Sequence, residues 1–480
     1  MSFSTIELNS ILGYLENKTI LVTGATGLLG MVFVEKILRV QPNVEKLYLL
    51  VRASTADSAT HRMHNEIIGK ELFRVLREKM GTEFDSFISR KVIAISGDVT
   101  STGLGVKDLK LREQMCNEIQ IILHSAATLN FDERYDIALD VNTYGVLRVL
   151  SFAKKCLKLE MLVHVSTAYV CGERAGLILE DFSSMDELTK EITKTDLKIQ
   201  EKNMVIDKLN ELKAKDASEK VITNTMKDLG AARAKLYGWP NTYVFTKAMG
   251  EVYLEHSKGY LPVTVLRPAV VTSTYKEPFP GWIQNFRTID SVIGTYWKGM
   301  LPCLPTDPTV VIDLIPVDML VDSIITAMAV NANKYLGKAG MIFHDGSSIK
   351  VDKLKMFTTM AAFRSYMQVR YMPPLEGLKF LNKEFDHYFQ ELYVNYNGKL
   401  MFVMRLAEIF QPYSLFKRIF DDTNSEELRR TARENYSDAG IFNFDPRCIN
   451  WEDYFMHTHI PGLWKHVMIK QNQNQNHSRL

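Results

Sequence analysis

Thr19-Ile20-Leu21-Val22-Thr23-Gly24-Ala25-Thr26-Gly27-Leu28-Leu29-Gly30 sets an apolar, β-branched run directly against three glycines spaced three apart. A buried strand that breaks into a glycine turn and then into a helix brings backbone N–H groups and a positive dipole end up to a phosphate. Gly24 is expected to make the turn, Gly27 to allow close approach of a pyrophosphate, and Gly30 to let helix and sheet touch. The spacing differs from Gly-x-Gly-x-x-Gly, and such glycines also occur in turns that bind nothing. The strand before and the helix after carry the reading toward a dinucleotide.

Outward from that turn, short apolar runs alternate with stretches of helical period. Strands are predicted at 19–23, 46–51, 91–96, 119–124, 161–166 and 262–267, and helices at 28–39, 59–80 and 138–156. This alternation predicts an α/β, Rossmann-like doubly wound parallel sheet with ligands at the carboxyl ends of its strands. Residues 186–235 interrupt it with a charged segment in which Val205, Leu209 and Leu212 recur at helical spacing. They read as an inserted helix pair, broken near Asp216-Ala217-Ser218 and packed on the rim, with a pattern too short for a coiled coil. The expected organisation is a dinucleotide-binding domain over 1–340, a mostly helical C-terminal domain over 341–470, and a polar, disordered tail over 471–480.

Hydrophobic residues make up 46% of the 480 and charged residues 24%, the balance of a globular protein. A net charge of +2 without a basic stripe leaves no nucleic-acid footprint. Cys116, Cys156, Cys171, Cys303 and Cys448 are scattered with no Cys-x-x-Cys pair, which fits a reducing compartment. Residues 1–17 have no basic region leading into an apolar core, so no secretory leader is expected. No stretch approaches the roughly 18–20 uncharged apolar residues of a membrane span. His457-x-His459 has no third ligand nearby and reads as a pair of solvated histidines, so no metal is expected.

The second strand bears on the cofactor. An NAD enzyme usually carries an acid there to hold the ribose 2′-hydroxyl. Lys46-Leu47-Tyr48-Leu49-Leu50-Val51-Arg52 ends in arginine, with no acid before Asp57. A guanidinium fork suits a 2′-phosphate, so NADPH is expected, with a surface ion pair of Arg52 as the competing reading. Two more strand ends belong to the same pocket: Gly97-Asp98-Val99 near the adenine, and His124-Ser125-Ala126-Ala127 beside the ribose.

Far downstream, Tyr243-x-x-x-Lys247 places a phenol and an ammonium one helical turn apart. A phenol of ordinary pKa about 10 is a poor acid at neutral pH, and a neighbouring cation stabilises its anion. Lys247 is therefore expected to tune Tyr243 to donate a proton to an oxygen while hydride arrives at its carbon. Ser166 and Thr167, in Ser166-Thr167-Ala168-Tyr169, offer a hydroxyl to share that oxygen.

The chain resembles the extended short-chain dehydrogenase/reductase superfamily and, more closely, the plant-type alcohol-forming fatty acyl-CoA reductases related to the male-sterility proteins. The likeness runs from about residue 12 to 466. Besides the glycine turn and the Arg52 strand, it rests on His164-Val165-Ser166-Thr167-Ala168-Tyr169-Val170 and Gly238-Trp239-Pro240-Asn241-Thr242-Tyr243-Val244-Phe245-Thr246-Lys247. Lys276-Glu277-Pro278-Phe279-Pro280-Gly281-Trp282, Phe444-Asp445-Pro446-Arg447 and Asn450-Trp451-Glu452-Asp453-Tyr454-Phe455 extend it.

The resemblance implies reduction of a long-chain acyl-CoA to a primary alcohol by two NADPH, for wax or surface-lipid synthesis. Hydride adds first to the thioester carbon; the resulting oxyanion, held by Thr167 and Tyr243, collapses to an aldehyde, which is then reduced at the same tyrosine. Thr167 ranks above Ser166, and Cys171 is not needed as a nucleophile. The catalytic set is thus Tyr243, Lys247, Thr167 and Ser166. The cofactor set is Thr23, Gly24, Thr26, Gly27, Leu28, Leu29, Gly30, Arg52, Asp98, Val99, Ser125, Ala126, Ala127, Asn142, Tyr243, Lys247, Pro268 and Val270. Arg267-Pro268-Ala269-Val270 is expected along the nicotinamide, and Phe279, Trp282, Phe286, Tyr296 and Trp297 either line an acyl tunnel or are plain core.

The stretch 370–400 is shorter and more charged than the family's usual apolar segment there, which weakens the expectation of tight membrane association. The resemblance favours peripheral attachment to the cytosolic face of the endoplasmic reticulum. Ser478-Arg479-Leu480, a degenerate form of a peroxisomal signal, offers the alternative address. The competing activities are an aldehyde-forming acyl-CoA reductase and another reductase or epimerase of the superfamily.

Overall fold

The computed structural model describes residues 9–181, 190, 197–332 and 355–469. Six strands form the central sheet: β1 (Thr19–Thr23), β2 (Lys46–Val51), β3 (Val92–Ser96), β4 (Ile121–His124), β5 (Met161–Val165) and β6 (Val263–Leu266). All pair in parallel, in the order β3-β2-β1-β4-β5-β6. Every residue of β1, β4, β5 and β6 is buried, because helices cover both faces, which is why these strands are continuous apolar runs rather than alternating ones. The order reverses between β1 and β4, and this is where a doubly wound sheet opens a crevice at its carboxyl edge.

Helix α1 (Leu28–Val40) follows the glycine turn and is buried along most of its length. The helix predicted at 59–80 is broken instead into Ala56–Met63, a π turn His64–Ile68, a 3-10 turn Glu71–Phe73 and Arg74–Met80. Gly69 sits at the break, where a Cβ would stand 2.7 Å from the His64 carbonyl oxygen. Met63, Ile67, Leu72 and Leu76 still face the core, so the apolar period survives the interruptions.

The inserted segment forms two helices, α2 (Leu197–Ala214) and α3 (Glu219–Leu236). They part where Asp216 adopts a positive φ of 51° and Ser218 caps α3 by accepting from Val221 N–H. Val205 and Leu212 are buried and Leu209 is half-buried, against the core that holds Tyr135 and Tyr169. Buried Glu201 anchors the pair, accepting from Tyr135 Oη at 2.7 Å and from the Arg233 guanidinium. Most of 186–196 lies outside the described residues.

Helix α4 (Thr242–Ser257) returns to the sheet, and α5 (Val317–Asn331) packs on it from the side of α1. Two long helices, α6 (Met360–Glu384) and α7 (Gln390–Ser414), then pack on each other through Phe363, Met367, Val403 and Leu406, together with Leu301, Cys303 and Leu304. The expected boundary near 340 and the tail over 471–480 fall outside the described residues. The chain beyond α7 shares the core of the first half. Arg418–Phe420 pairs in parallel with Gly176–Ile178. Helix α8 (Thr423–Asn435) and Phe442, Trp451, Tyr454 and Phe455 join one apolar cluster with β1, α1 and α5. The Asp438 carboxylate also accepts from Ser10 Oγ and from the Ile11 and Leu12 N–H groups, each at 2.8 Å.

Among the described residues no helix is long and apolar enough to cross a membrane.

Candidate active site

Gly24 turns the chain with φ +77°, and a Cβ there would meet Ala126 N at 2.7 Å. The turn is thereby seated against the end of β4. A Cβ on Gly30 would lie 2.5 Å from the Gly24 carbonyl oxygen, so the close contact Gly30 allows is between the helix and the turn, where contact of helix and sheet was expected. Gly27 occupies the N-cap of α1, no side chain caps the helix, and its first turn carries no acid. The first N–H groups and the dipole end of α1 are therefore left, among the described residues, without a side-chain partner competing for them. Thr26, Gly27 and Leu29 are half-buried, and Leu28 faces the core.

Neighbouring strand ends close around this turn. Thr23 Oγ1 lies 2.8 Å from His124 Nδ1, and Ser125 Oγ donates to the Thr23 carbonyl at 2.8 Å. Ala126 N–H reaches Thr23 Oγ1 at 3.3 Å, and Ala127 is half-buried beside it. At the end of β3, Asp98 accepts from Thr100 N–H at 2.9 Å while Val99 is buried. Arg52 is exposed at the end of β2, on the wall of an open cleft of about 790 Å³ that Thr100, Arg148, Lys198 and Lys202 also line. Among the described residues its guanidinium forms no ion pair, though its charge acts on Glu66, which is paired with Arg62.

Asn241 caps α4 by accepting from Val244 N–H at 3.1 Å, which starts the helix at Thr242 and sets Tyr243 in its first turn. The Tyr243 ring lies 5.5 Å from that of Phe131, which stacks in turn on Tyr413 of α7 at 5.4 Å. Burial, with Tyr413 adding, pushes the phenol pKa above its ordinary value; the Arg287 guanidinium opposes this. One turn on, Lys247 is buried and donates from Nζ to the Val165 carbonyl at 2.7 Å. Burial pulls its pKa down to about 8. Lys247 thus spends one of its three N–H donors on the end of β5, and the Arg287 guanidinium is a second cation whose charge favours the phenolate.

Ser166 and Thr167 follow β5 directly. The Ser166 Oγ is buried with no hydrogen-bond partner among the described residues, and Thr167 Oγ1 accepts from Tyr169 N–H at 3.3 Å. Asn142 presents no free polar group: its carboxamide joins Thr128, at 3.0 Å, to Thr246 of α4, at 3.1 Å. The Pro268 carbonyl accepts from Ala168 N–H at 2.9 Å, and Val270 begins a short strand paired with Leu314–Pro316. Arg267 turns away into a buried ion pair with Glu251 of α4 at 2.8 Å and donates to the Asp181 carbonyl. It holds α4 against β6 instead of lining the crevice.

The proposed aromatic liners disperse. Trp282 is core, Tyr296 packs under α6 and α7, and Trp297 stands exposed against Trp464 at 4.3 Å. The histidine reading is corrected for one residue. His457 is exposed, but His459 is fully buried, with Nε2 2.9 Å from Asp290 and Nδ1 3.0 Å from Ser273 Oγ. No group of His, Cys, Asp or Glu suited to a metal occurs among the described residues. Burial raises the Cys171 thiol pKa, which suits a packed side chain.

Gln284 and Arg287 were not foreseen. Gln284 Nε2 donates to the Thr26 carbonyl of the glycine turn at 3.0 Å. Only the position of Arg287 as the one basic residue of the stretch 279–297 could have singled it out.

This crevice fits a dinucleotide: a glycine turn too tight for a Cβ, an uncapped helix end, and an orphan hydroxyl at a neighbouring strand end. The sequence patterns of the male sterility protein family match residues 22–324 and 393–470. The chain is 46% identical to an alcohol-forming fatty acyl-CoA reductase of Simmondsia chinensis, covering 96% of this chain and 99% of that one. It is 47% identical to a probable fatty acyl-CoA reductase of Arabidopsis thaliana over 95% of this chain and 99% of that one. The chain belongs to the male sterility family of fatty acyl-CoA reductases and carries a nicotinamide-dinucleotide-binding domain. The fold is shared with the terminal reductase domain of the myxalamid PKS-NRPS pathway, at a TM-score of 0.53 and 18% identity over 86% of this chain and 85% of that one. It is likewise shared with the reductase domain of a Mycobacterium tuberculosis nonribosomal peptide synthetase, at a TM-score of 0.50, 18% identity, and 90% and 88% coverage.

Proposed function

We propose that this protein reduces long-chain fatty acyl-CoA to the primary alcohol, with NADPH as reductant. The observation that carries the reading is the orphan Ser166 hydroxyl at the strand end to which Lys247 of the Tyr243 helix is tied, together with the uncapped glycine turn, in a chain that matches named fatty acyl-CoA reductases along nearly its whole length. Two NADPH supply two hydrides which, with two protons, convert the thioester to an alcohol and free CoA. Gly24, Gly27 and the first turn of α1 hold the pyrophosphate, and Arg52 meets the 2′-phosphate.

Tyr243, Thr167 and the orphan Ser166 hydroxyl surround the substrate oxygen. In the first round they hold the oxyanion until it collapses and the C–S bond breaks. In the second, Tyr243 gives its proton to the alkoxide formed from the aldehyde, and water restores that proton. Lys247 fixes α4 to the strand end that carries the two hydroxyls.

The α6–α7 hairpin supports peripheral attachment to a membrane, against the weaker expectation from residues 370–400. Val369, Phe380, Phe385, Tyr388, Val394 and Met401 are all exposed there, beside Lys379, Lys383 and Lys399. Such a mixture suits a lipid–water interface, where the acyl chain of the substrate also resides. The endoplasmic reticulum surface remains the proposed location, with the peroxisome as alternative; Ser478-Arg479-Leu480 lies outside the described residues.

Incubating the purified protein with saturated acyl-CoAs of graded length, and NADPH or NADH, tests the activity when aldehyde and alcohol are separated. Alcohol with little free aldehyde is expected. Aldehyde accumulating alone points to the aldehyde-forming alternative, and no reduction of acyl-CoA with either cofactor defeats the reading.

A further inference from the structure

Helix α2 lies against the helical run 135–153 that follows β4. Tyr144 Oη donates to the Lys198 carbonyl at 2.9 Å, and buried Glu201 accepts from Tyr135 Oη at 2.7 Å. Residues of both line the open cleft of about 790 Å³, and so do Arg52, at the end of β2, and Thr100, beyond the end of β3. Since β2 and β3 stand on one side of β1 in the sheet, the cleft opens at the carboxyl edge on the β2–β3 side of the glycine turn. A dinucleotide whose pyrophosphate rests on that turn extends its adenosine half to this side.

Apolar side chains and cations share the cleft. Ile137, Val141 and Leu147 of the helical run, with Val205 and Ile206 of α2, give it apolar surface of the kind a purine takes. Arg52, Arg148, Lys198 and Lys202 bring four positive charges, and Asp136 and Asp140 two negative ones. Both carboxylates are already met, Asp136 by Arg134 at 2.9 Å and Asp140 by Arg148 at 2.6 Å. Glu66, on which the Arg52 charge acts, is held by Arg62 at 2.7 Å. Arg52, Lys198 and Lys202 therefore stand on one cleft without an ion pair among the described residues. Like charges gathered in this way raise the local potential and draw in an anion of more than one charge.

We propose that α2 completes a phosphoadenosine site, in which Lys198 and Lys202 share with Arg52 the phosphate monoester on the ribose of a bound nucleotide. This rests on the cofactor reading above and extends its Arg52 contact. Such a monoester carries about −1.5 to −2 charges at pH 7 and three acceptor oxygens, so a single guanidinium balances little more than half of it. Lysines act on the remainder as point charges, without needing the fixed fork of an arginine. The place of the cleft favours the 2′-phosphate of NADPH; the 3′-phosphate of CoA presents the same group on the same nucleoside. Either way, the inserted helix pair takes part in choosing the nucleotide, because NADH and dephospho-CoA offer the lysines nothing to hold.

The test uses the full chain carrying Lys198→Gln and Lys202→Gln together, beside Lys213→Gln, whose side chain is exposed on α2 and does not line the cleft. Affinities for NADPH and NADH are read from the fluorescence of the bound cofactor, and those for CoA and dephospho-CoA by calorimetry. The double variant is expected to bind NADPH about tenfold more weakly and NADH within about twofold of the parent. Added salt should weaken NADPH binding more steeply in the parent than in the double variant. Lys213→Gln should match the parent, and all three proteins should melt together, since both cleft lysines are exposed. Loss on NADPH but not NADH assigns the site to the cofactor; loss on CoA but not dephospho-CoA assigns it to the substrate. The proposal is overturned if the double variant binds all four nucleotides as the parent does. It is overturned equally by parallel losses on the members of each pair, or by a lowered melting temperature, either of which makes the lysines scaffold. A parent that binds neither NADPH nor CoA takes the cofactor reading down with it. A parent that binds NADPH beside an unimpaired double variant leaves that reading standing and removes only the lysines.

Discussion

Lys247 Nζ donates to the carbonyl oxygen of Val165 at 2.7 Å, and Val165 is the residue immediately before Ser166. A charge on α4 is thus tied to the backbone that delivers both hydroxyls of the site. The Arg267–Glu251 pair makes a second tie one turn along the same helix. Together they fix the distance between the phenol of Tyr243 and the end of β5, which is the distance that substrate must match.

Tyr243→Phe tests the acid alone. No protein group hydrogen-bonds the Tyr243 hydroxyl among the described residues, so its removal orphans no partner and stability should change by less than about 0.5 kcal/mol. Turnover should fall by roughly 10²–10⁴-fold on acyl-CoA and aldehyde alike. Activity within tenfold of the parent, measured by cofactor oxidation, would remove Tyr243 from the mechanism.

Lys247→Met separates function from stability. A lysine whose pKa falls from 10.5 to about 8 on folding costs stability in full below pH 8. That cost fades as the pH rises toward 10.5, because the unfolded chain then sheds its proton too. It is on the order of 3 kcal/mol at pH 7, offset in part by the bond to Val165. The variant should therefore lose activity while its melting temperature holds or rises. In the parent, kcat/KM should decline above pH about 8 as the ammonium is lost. A clear drop in melting temperature at pH 7 contradicts this account.

Gly30→Ala puts a methyl 2.5 Å from the Gly24 carbonyl oxygen, so either α1 or the turn must move. A loss of about 1–3 kcal/mol in chemical denaturation is expected, with weaker cofactor binding by calorimetry. Unchanged affinity for NADPH would mean that the turn does not meet the pyrophosphate.

Arg52→Ala probes cofactor choice without disturbing the fold, since the side chain is exposed and unpaired among the described residues. Removing a charge-assisted contact worth about 1.5–3 kcal/mol should lower kcat/KM for NADPH roughly ten- to hundredfold and leave NADH unaffected. Equal effects on the two cofactors would take Arg52 out of the 2′-phosphate site.

The strands were legible because each central one is buried on both faces, so that Ile20-Leu21-Val22 or Leu162-Val163 carries its burial in its composition. The glycine turn, and the break between α2 and α3, were legible because Gly24 and Ser218 meet local backbone demands. Arg267, His459 and Arg287 were not. The direction in which Arg267 turns depends on Glu251, and the burial of His459 depends on Asp290, 169 residues away. Local period contains no trace of such partners. The outward face of the hairpin is hidden for a related reason: lysines at intervals lower the apparent apolarity of α6 and α7, while Phe380, Phe385 and Tyr388 stand outward between them.

The return of Leu428, Phe442, Trp451 and Phe455 to the cluster of β1, α1 and α5 has a consequence for how the chain is made. On the ribosome, α5 emerges well before the segment that covers it. The nascent first half therefore waits with an apolar face open to solvent until that later segment has been made. Removing the segment from Phe442 onward would not yield a smaller working reductase; it would leave an aggregation-prone chain whose nucleotide crevice lacks its backing.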